Sequence, residues 1–185
     1  MFDLPWHYDT APDLTQSLIA RLRISPREPD MLVYGLRLLS ALTLRAALRS
    51  YHRLKIVGRE YIPAESCILV ANHSSHLDAL CLLSAIPLKN LHRAFPVAAQ
   101  DYFFESVSRI AFSAVFINAT PFARRSHTRQ SLDSLRRLLA HPGSTLILFP
   151  EGTRSISGTL HDFRPGVGAL IAGSQIPVIP CIAKV

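Results

Sequence analysis

The chain has 185 residues, of which 49% are hydrophobic and 18% charged. This composition excludes a disordered or collagen-like chain and fits one globular domain. Lysine and arginine outnumber aspartate and glutamate by 20 to 13, and the formal net charge of +7 suits an anionic partner. Because basic residues and aromatic residues do not alternate in stacking arrays, lipid or phosphate is favoured over nucleic acid.

Three cysteines, Cys67, Cys81 and Cys181, lie among apolar residues at wide spacing. An odd number at such spacing predicts buried thiols in a reducing compartment. Residues 1–4 include an aspartate and no basic residue, unlike the start of a secretory signal. Both features predict a location on the cytoplasmic side.

The first 52 residues are predicted to form an arm of two helices. Leu14 to Leu22 is the first helix, and Met31 to Arg49 is the second. Residues 25–29, which contain two prolines, break the chain between them. The second helix is apolar around most of its circumference.

Four arginines, Arg37, Arg45, Arg49 and Arg53, fall within roughly half of the wheel of this second helix. They predict an interfacial helix whose guanidinium groups meet lipid phosphates while its leucines enter the acyl layer. A full membrane span would be costly with arginines inside it, although snorkelling permits one. The alternative is a helix packed on the core with its arginines in water.

From Arg53 onward short apolar runs alternate with helical stretches, which predicts an α/β fold with a central, mostly parallel sheet flanked by helices. Several runs are apolar on both faces, as strands covered on both sides must be. The predicted strands are Leu54 to Val57, Cys67 to Ala71, Ala94 to Val97, Ala114 to Ile117, Thr145 to Phe149 and Val178 to Cys181. The predicted helices are His76 to Ala85, Tyr102 to Ala111, Thr128 to Ala140 and Val167 to Ala172.

Polar segments follow three of the predicted strands, at residues 72–78, 118–125 and 150–155. In open parallel sheets ligands bind beyond the carboxyl ends of the strands. The three segments are therefore predicted to share one edge of the sheet.

The first of these segments places His73 five residues before Asp78. In a regular helix the two side chains would point about 140° apart, but a turn at Ser74 and Ser75 brings the carboxylate to the imidazole. Such a pair is a general base with an orienting partner. The capping-box pattern from Ser75 to Asp78 is an open alternative, and His76 is interpreted as structural.

The third segment reads Glu-Gly-Thr-Arg at residues 151–154. Gly152 permits close backbone approach, Arg154 offers a bidentate fork for phosphate, and Glu151 is a candidate acceptor of hydrogen bonds from a polyol. The alternative is a loop in which Glu151 and Arg154 pair with each other in solvent.

Together these segments resemble a known family. An Asn-His-(four residues)-Asp segment at 72–78, followed by Phe-Pro-Glu-Gly-Thr-Arg-Ser at 149–155, resembles the glycerolipid acyltransferases. Residues 176–180 resemble the family's fourth block, and the paired N-terminal helices resemble the membrane-docking arm of bacterial members. The resemblance predicts an arm at residues 1–52 and an acyltransferase domain at 53–185. Family members usually continue further, which predicts a domain truncated at its C-terminus.

The resemblance implies transfer of a fatty acyl group from acyl-CoA or acyl-carrier protein to the hydroxyl of a lysophospholipid or glycerol-phosphate-like acceptor, without a cofactor. It also implies a peripheral or monotopic protein at the cytoplasmic face of a membrane. His73 would be the catalytic base and Asp78 its orienting partner. The block that binds the acceptor aligns with Glu151, Gly152, Thr153 and Arg154.

One block departs from the family pattern. The second block usually reads Phe-Ile-x-Arg, whereas residues 116–119 read Phe-Ile-Asn-Ala. Arg124 and Arg125 are candidates to replace the expected arginine from a longer loop. The acceptor is therefore open among lysophosphatidate, another lysophospholipid and a lyso-aminolipid.

Two rival enzyme classes fit the sequence poorly. A metallohydrolase is disfavoured because Ser74 and Ala79 stand where a His-x-His-x-Asp-His motif needs zinc ligands. A serine hydrolase is disfavoured because the chain has no Gly-x-Ser-x-Gly elbow. A catalytically silent lipid-binding module remains the alternative, since the basic arm and the altered second block are both compatible with it.

Overall fold

The structure is a computed structural model that describes residues 31–99, 106–123, 128–155 and 159–184. The predicted helix from Leu14 to Leu22, and Arg124 and Arg125, lie outside the described residues. The described α-helices are α1 (Met31–Ser50), α2 (Asp78–Ala85), α3 (Val107–Phe112), α4 (Thr128–Ala140) and α5 (Gly166–Ile171). The strands are β1 (Cys67–Ala71), β2 (Ala94–Ala99), β3 (Thr120–Phe122), β4 (Thr145–Leu148) and β5 (Val178–Cys181). Short 3-10 helices at Arg59–Tyr61 and Leu88–Arg93 complete the elements before β2.

The five strands form one sheet in the order β3-β2-β4-β1-β5, and every neighbouring pair is parallel. β1 lies near the centre, with Leu69 opposite Ile147 of β4 on one side and Ile179 of β5 on the other. The predicted α/β architecture is confirmed.

Helices cover both faces of the sheet. Because side chains alternate along a strand, Cys67, Leu69 and Ala71 of β1 point to one face and Ile68 points to the other. The first face is covered by α1 and α2, through Ala41, Leu82 and Leu83 among others. The second face is covered by α4 and α5, through Leu135, Leu138, Leu139 and Leu170. The carboxyl ends of the strands therefore stand between two packed helical layers.

The predicted strand from Leu54 to Val57 is wrong. α1 ends in a turn in which the Leu54 N–H donates to the Leu48 carbonyl at 2.9 Å, and Arg53 has a φ of 51°. Leu54 is thus bonded to the end of the helix, and Val57 is 93% exposed. A short apolar run forms a strand only where a neighbouring strand is available to pair with it.

The predicted strand from Ala114 to Ile117 is also wrong. α3 continues as a π-helical turn over Ser113–Ile117, which ends at Asn118, a residue with a φ of 57°. The strand starts three residues after Ile117, and β3 pairs through Thr120 with Val97 of β2. Pro121 lies in this edge strand, where a missing N–H is tolerated. An apolar run of four residues fits a helix and a strand equally well.

Two arginines of α1, Arg37 and Arg45, face the opposite way from the prediction. Arg37 is 3% exposed and donates to the carbonyls of Ala114 and Val115 at 2.9 Å each. Arg45 donates to the carbonyls of Leu83 and Ile86. Burial lowers the pKa of Arg37 to about 10, so its guanidinium keeps its charge at neutral pH. Arg49, in the last turn of the helix, and Arg53, three residues beyond it, are exposed as predicted.

The outward side of α1 is apolar. Its exposed large residues include Met31, Leu32, Leu36, Leu39 and Leu42. By length and composition α1 is the one helix in the described ranges long and apolar enough to cross a membrane, and most of it is not covered by the rest of the protein. We call the side formed by Met31, Leu32, Leu36, Leu39 and Leu42 the leucine face.

The three cysteines are free thiols. Cys67 is buried as predicted, whereas Cys81 and Cys181 are half-buried. Burial raises the pKa of each thiol above its ordinary value, so all three stay protonated and weakly nucleophilic near neutral pH.

Candidate active site

The segments that follow β1 and β4 meet at one edge of the sheet. The His73 N–H donates to Oε1 of Glu151 at 2.8 Å, and the Ser155 N–H donates to the His73 carbonyl at 2.8 Å. The segment after β5 joins them, because the side-chain amide of Asn72 donates to the Ala183 carbonyl at 3.0 Å and accepts from the Ala183 N–H at 2.8 Å. Two of the three predicted segments, residues 72–78 and 150–155, therefore share the carboxyl edge.

His73 and Asp78 form the predicted pair. Nδ1 of His73 lies 3.0 Å from Oδ2 of Asp78, which is the first residue of α2 and has no exposed surface. The N–H groups of Ser74 and Ser75 donate to the same oxygen at 2.7 and 2.8 Å. These bonds stabilise a carboxylate that has left water. A carboxylate on Nδ1 fixes the tautomer of the ring and leaves Nε2 able to accept a proton.

The turn between His73 and Asp78 is closed by side chains, but not as a capping box of α2. The N-cap residue of α2 is Leu77, which makes no side-chain cap bond, whereas the Ser75 N–H donates to the Asp78 carboxylate. The Ser75 hydroxyl accepts from the Leu77 N–H at 3.2 Å, so the turn closes before the helix begins. The turn predicted at Ser74 and Ser75 thus allows Asp78 to reach His73.

The imidazole of His73 is held on its other side by Phe149. The two rings stack with centroids 4.2 Å apart and an interplanar angle of 22°. The side chain of His73 remains 22% exposed. Stacking and the Asp78 contact orient the ring, while its exposure leaves it open to a substrate.

Glu151 holds backbone groups in this structure. It is 3% exposed, and its second oxygen accepts from the His161 N–H at 3.1 Å. Together with the His73 contact, both carboxylate oxygens are bonded to main-chain donors of distant segments. These bonds differ from both sequence-based interpretations, which were a contact with a polyol and an ion pair with Arg154. A contact between Glu151 and a substrate stays a prediction.

Gly152 forms the tight turn after β4. Its N–H donates to the Phe149 carbonyl at 3.0 Å, and its φ of +70° favours glycine. A Cβ at this position would lie 2.6 Å from Nε of Arg164. The backbone N–H of Arg164 donates to the Pro150 carbonyl at 2.9 Å. Thr153 and Arg154, the remaining predicted residues of this block, are exposed. In this structure the group that approaches Gly152 is the Arg164 side chain, and close approach of a substrate to the Gly152 backbone stays a prediction.

Arg164 is the residue that the sequence-based prediction missed. It lies ten positions beyond Arg154, outside every block that the motifs define. Arg164 reaches this edge because residues 159–165 fold back over the segment that follows β4. No local sequence pattern predicts this path of the chain.

The middle predicted segment divides between the two edges of the sheet. Asn118 is buried and donates to the carbonyls of His92 and Ala94, so it lies at the amino end of β2. The chain reaches the carboxyl edge only at Phe122, the last residue of β3. Arg124 comes two residues later in the sequence, outside the described residues.

No group of three or more His, Cys, Asp or Glu side chains that could hold a metal occurs within the described ranges.

Comparison with known proteins places the chain in a family. The sequence model of the acyltransferase family matches residues 53–184. The chain belongs to the acyltransferase family. It is 30% identical over 134 residues to a chloroplastic 1-acyl-sn-glycerol-3-phosphate acyltransferase of Brassica napus, covering 70% of this chain and 37% of the relative. It is 28% identical over 137 residues to a probable 1-acyl-sn-glycerol-3-phosphate acyltransferase of Mycoplasma pneumoniae, covering 69% and 48%.

A solved structure shares the fold. The crystal structure of the 1-acyl-sn-glycerophosphate acyltransferase PlsC from Thermotoga maritima aligns with a TM-score of 0.56 at 21% identity, covering 77% of this chain and 55% of that one. The chain spans about half or less of the length of the curated relatives quoted above.

Proposed function

We propose that the chain is an acyltransferase that moves a fatty acyl group from acyl-CoA or acyl-carrier protein to the hydroxyl of a lysophospholipid or glycerol-phosphate-like acceptor. The His73–Asp78 contact of 3.0 Å at the carboxyl edge of the sheet, in a member of this family, carries the proposal. The names of the relatives favour 1-acylglycerol 3-phosphate as the first acceptor to test.

His73 acts as the general base in the proposed step. Nε2 takes the proton of the acceptor hydroxyl as that oxygen attacks the thioester carbonyl. The new C–O bond forms, the C–S bond breaks, and the thiolate leaves and takes up the proton from the imidazolium. Asp78 stabilises the imidazolium between these two events, as a carboxylate on the far nitrogen does in other acyl transfers.

A cavity of about 200 Å³ beside α2 is the proposed site of the acyl chain. Leu80, Leu83 and Ser84 of α2 line it, within two turns of Asp78 at the start of the same helix. The rest of the lining is mostly apolar, as a hydrocarbon chain requires. It consists of Ser40, Ala41, Leu44, Arg45, Leu91, Phe112, Phe116 and Ile117.

Filling this cavity is expected to shorten the preferred acyl chain. In Ala41→Phe the ring occupies the cavity, so kcat/KM for a palmitoyl donor falls about tenfold relative to a lauroyl donor. Ala47→Phe, on the exposed side of α1, is the matched control and should leave the ratio unchanged. Equal ratios in the two variants would show that the acyl chain binds elsewhere.

The leucine face is proposed to enter the acyl layer of a membrane surface, with Arg49 and Arg53 near the lipid phosphates. Arg37 and Arg45 hold α1 on the domain in this arrangement. The net charge of +7 favours an anionic bilayer. The chain would thus act as a peripheral or monotopic protein at the cytoplasmic face.

Polar substitution of the leucine face is expected to release the protein from vesicles. Replacing Leu32, Leu39 and Leu42 by serine removes apolar area that the bilayer would bury, so partitioning should fall by tenfold or more. Co-sedimentation with phosphatidylglycerol and phosphatidylethanolamine vesicles measures this. Isoleucine at the same three positions is the matched control, and undiminished binding of the serine variant would refute the proposed surface.

The acceptor phosphate is proposed to be bound by Arg154, Arg124 and Arg125, with Gly152 and Thr153 supplying backbone and hydroxyl contacts. Arg154 follows β4, and Arg124 follows Phe122 in the sequence, so both come after strands that end at the same edge. The second block at residues 116–119 lacks its usual arginine, but β3 ends at Phe122, and Arg124 comes two residues after this strand in the sequence.

Acyl transfer itself is tested with the purified chain on anionic vesicles. Radiolabelled acyl-CoA and acyl-carrier protein are each combined with lysophosphatidate, other lysophospholipids and a lyso-aminolipid, against a reaction without protein. Product from at least one pair is the expected result. Binding to vesicles without transfer to any acceptor would instead favour a catalytically silent lipid-binding module.

A further inference from the structure

Arg164 lies at the edge of the candidate active site, and two backbone hydrogen bonds fix its segment there. Its backbone N–H donates to the Pro150 carbonyl at 2.9 Å. The preceding part of its segment is fixed by the bond from the His161 N–H to Glu151 at 3.1 Å. Its guanidinium side lies across Gly152, where an added Cβ would be 2.6 Å from Nε and 2.9 Å from Cδ. Arg164 is therefore positioned relative to His73 through Glu151, which binds the His73 N–H at 2.8 Å.

The chemistry of this position suits an anion. Arginine offers a planar fork of N–H donors that matches phosphate oxygens, and its charge does not titrate near neutral pH. Arg164 is exposed, so its donors are open to a ligand. Two features of position 152 favour glycine. Its φ is positive, and the Arg164 side chain occupies the space where a Cβ would lie. Gly152 thus has a second role, which is to leave room for Arg164.

We propose that Arg164 binds a phosphate group at this edge of the sheet, and that Gly152 positions it for this purpose. The acceptor headgroup and the phosphates of the acyl donor share this chemistry. This inference rests on the proposed function, because the acceptor and the acyl donor are the substrates proposed there. Arg164 is a binding residue in addition to Arg154, Arg124 and Arg125.

The test measures phosphate binding without turnover. The His73→Ala protein is titrated with glycerol 3-phosphate and, separately, with coenzyme A, and binding is followed by phosphorus NMR. Adding Arg164→Ala is expected to weaken one of the two by tenfold or more, because a charge-assisted hydrogen bond is lost. Loss with glycerol 3-phosphate assigns the phosphate to the acceptor, and loss with coenzyme A assigns it to the donor. Arg164→Lys, which keeps the charge without the fork, should fall between.

Gly152→Ala tests the positioning. The new Cβ displaces the Arg164 side chain, so this variant should lose binding nearly as Arg164→Ala does, and the double variant should lose no more than either. Gly173→Ala is the matched control, because Gly173 has a φ of +77° and nothing within 4 Å of an added Cβ. It carries the same backbone strain and should bind normally.

Two results would overturn the inference. One is unchanged binding of both probes by Arg164→Ala, and the other is no measurable binding of either probe before that substitution. Since the protein lacks His73, these results do not depend on whether the chain transfers acyl groups. Failure of acyl transfer with phosphate binding intact would count against the proposed function alone.

Discussion

Replacing His73 by alanine, or Asp78 by asparagine, is expected to lower kcat for acyl transfer by roughly 10²- to 10⁴-fold. His73→Ala removes the base. Asp78→Asn keeps one oxygen that can accept from His73, Ser74 and Ser75, as Oδ2 of Asp78 does, but its side chain is neutral. The imidazolium that forms during transfer then loses the negative charge that stabilises it. Initial rates with saturating donor and acceptor measure the effect.

Thermal unfolding separates this chemical effect from a loss of fold. Asp78 is buried at the start of α2, so Asp78→Asn is expected to lower the unfolding temperature as well as the rate. His73→Ala keeps the backbone N–H that binds Glu151, and the side chain it removes is partly exposed, so its stability should change little. Asp133→Asn, on the exposed side of α4, is the control. Full activity in a folded His73→Ala protein would exclude His73 as the base.

Four predicted strands are present in the structure, as β1, β2, β4 and β5. Three of them, β1, β4 and β5, carry the segments that meet at the candidate site; β1 and β4 are mostly buried, whereas the edge strand β5 is only partly buried. Ala114 to Ile117 is also a short apolar run, and Leu54 to Val57 is one apart from Lys55, yet neither forms a strand. Whether a short apolar run becomes a strand depends on its partners, and those are distant in sequence.

The dyad could be predicted because its members are five residues apart and one turn joins them. Arg37 and Arg164 could not, for a common reason. Arg37 binds carbonyls 77 and 78 positions away, and Arg164 lies over a glycine twelve positions earlier only because residues 159–165 return to β4. A charged side chain on an apolar helix is predicted to face solvent unless its hydrogen-bond acceptors are known. The positions of Arg37 and Arg164 depend on hydrogen bonds between distant parts of the chain, and such bonds leave no local sequence pattern.

Glu151→Gln is expected to lower kcat by roughly tenfold to a hundredfold while the KM for the acceptor changes little. The two oxygens of Glu151 accept from the N–H groups of His73 and His161. A glutamine can accept only one of these bonds, and its NH₂ group faces the other donor. The His73 backbone must then shift, and a small displacement of the base slows the chemical step without weakening acceptor contacts. Steady-state kinetics at varied acceptor concentration measure kcat and KM separately.

The same measurement distinguishes this role from the contact with a polyol that the sequence suggested. A carboxylate that binds the acceptor would raise KM when it is lost, and that result would contradict the positioning role. Glu65→Gln, on an exposed loop before β1, is the control for the change of charge. Glu151→Gln should also lower the free energy of unfolding by about 1–3 kcal/mol, because a buried N–H loses its acceptor. Glu151→Asp keeps two acceptor oxygens on a shorter side chain and should recover part of kcat, because the charge and both bonding directions are retained.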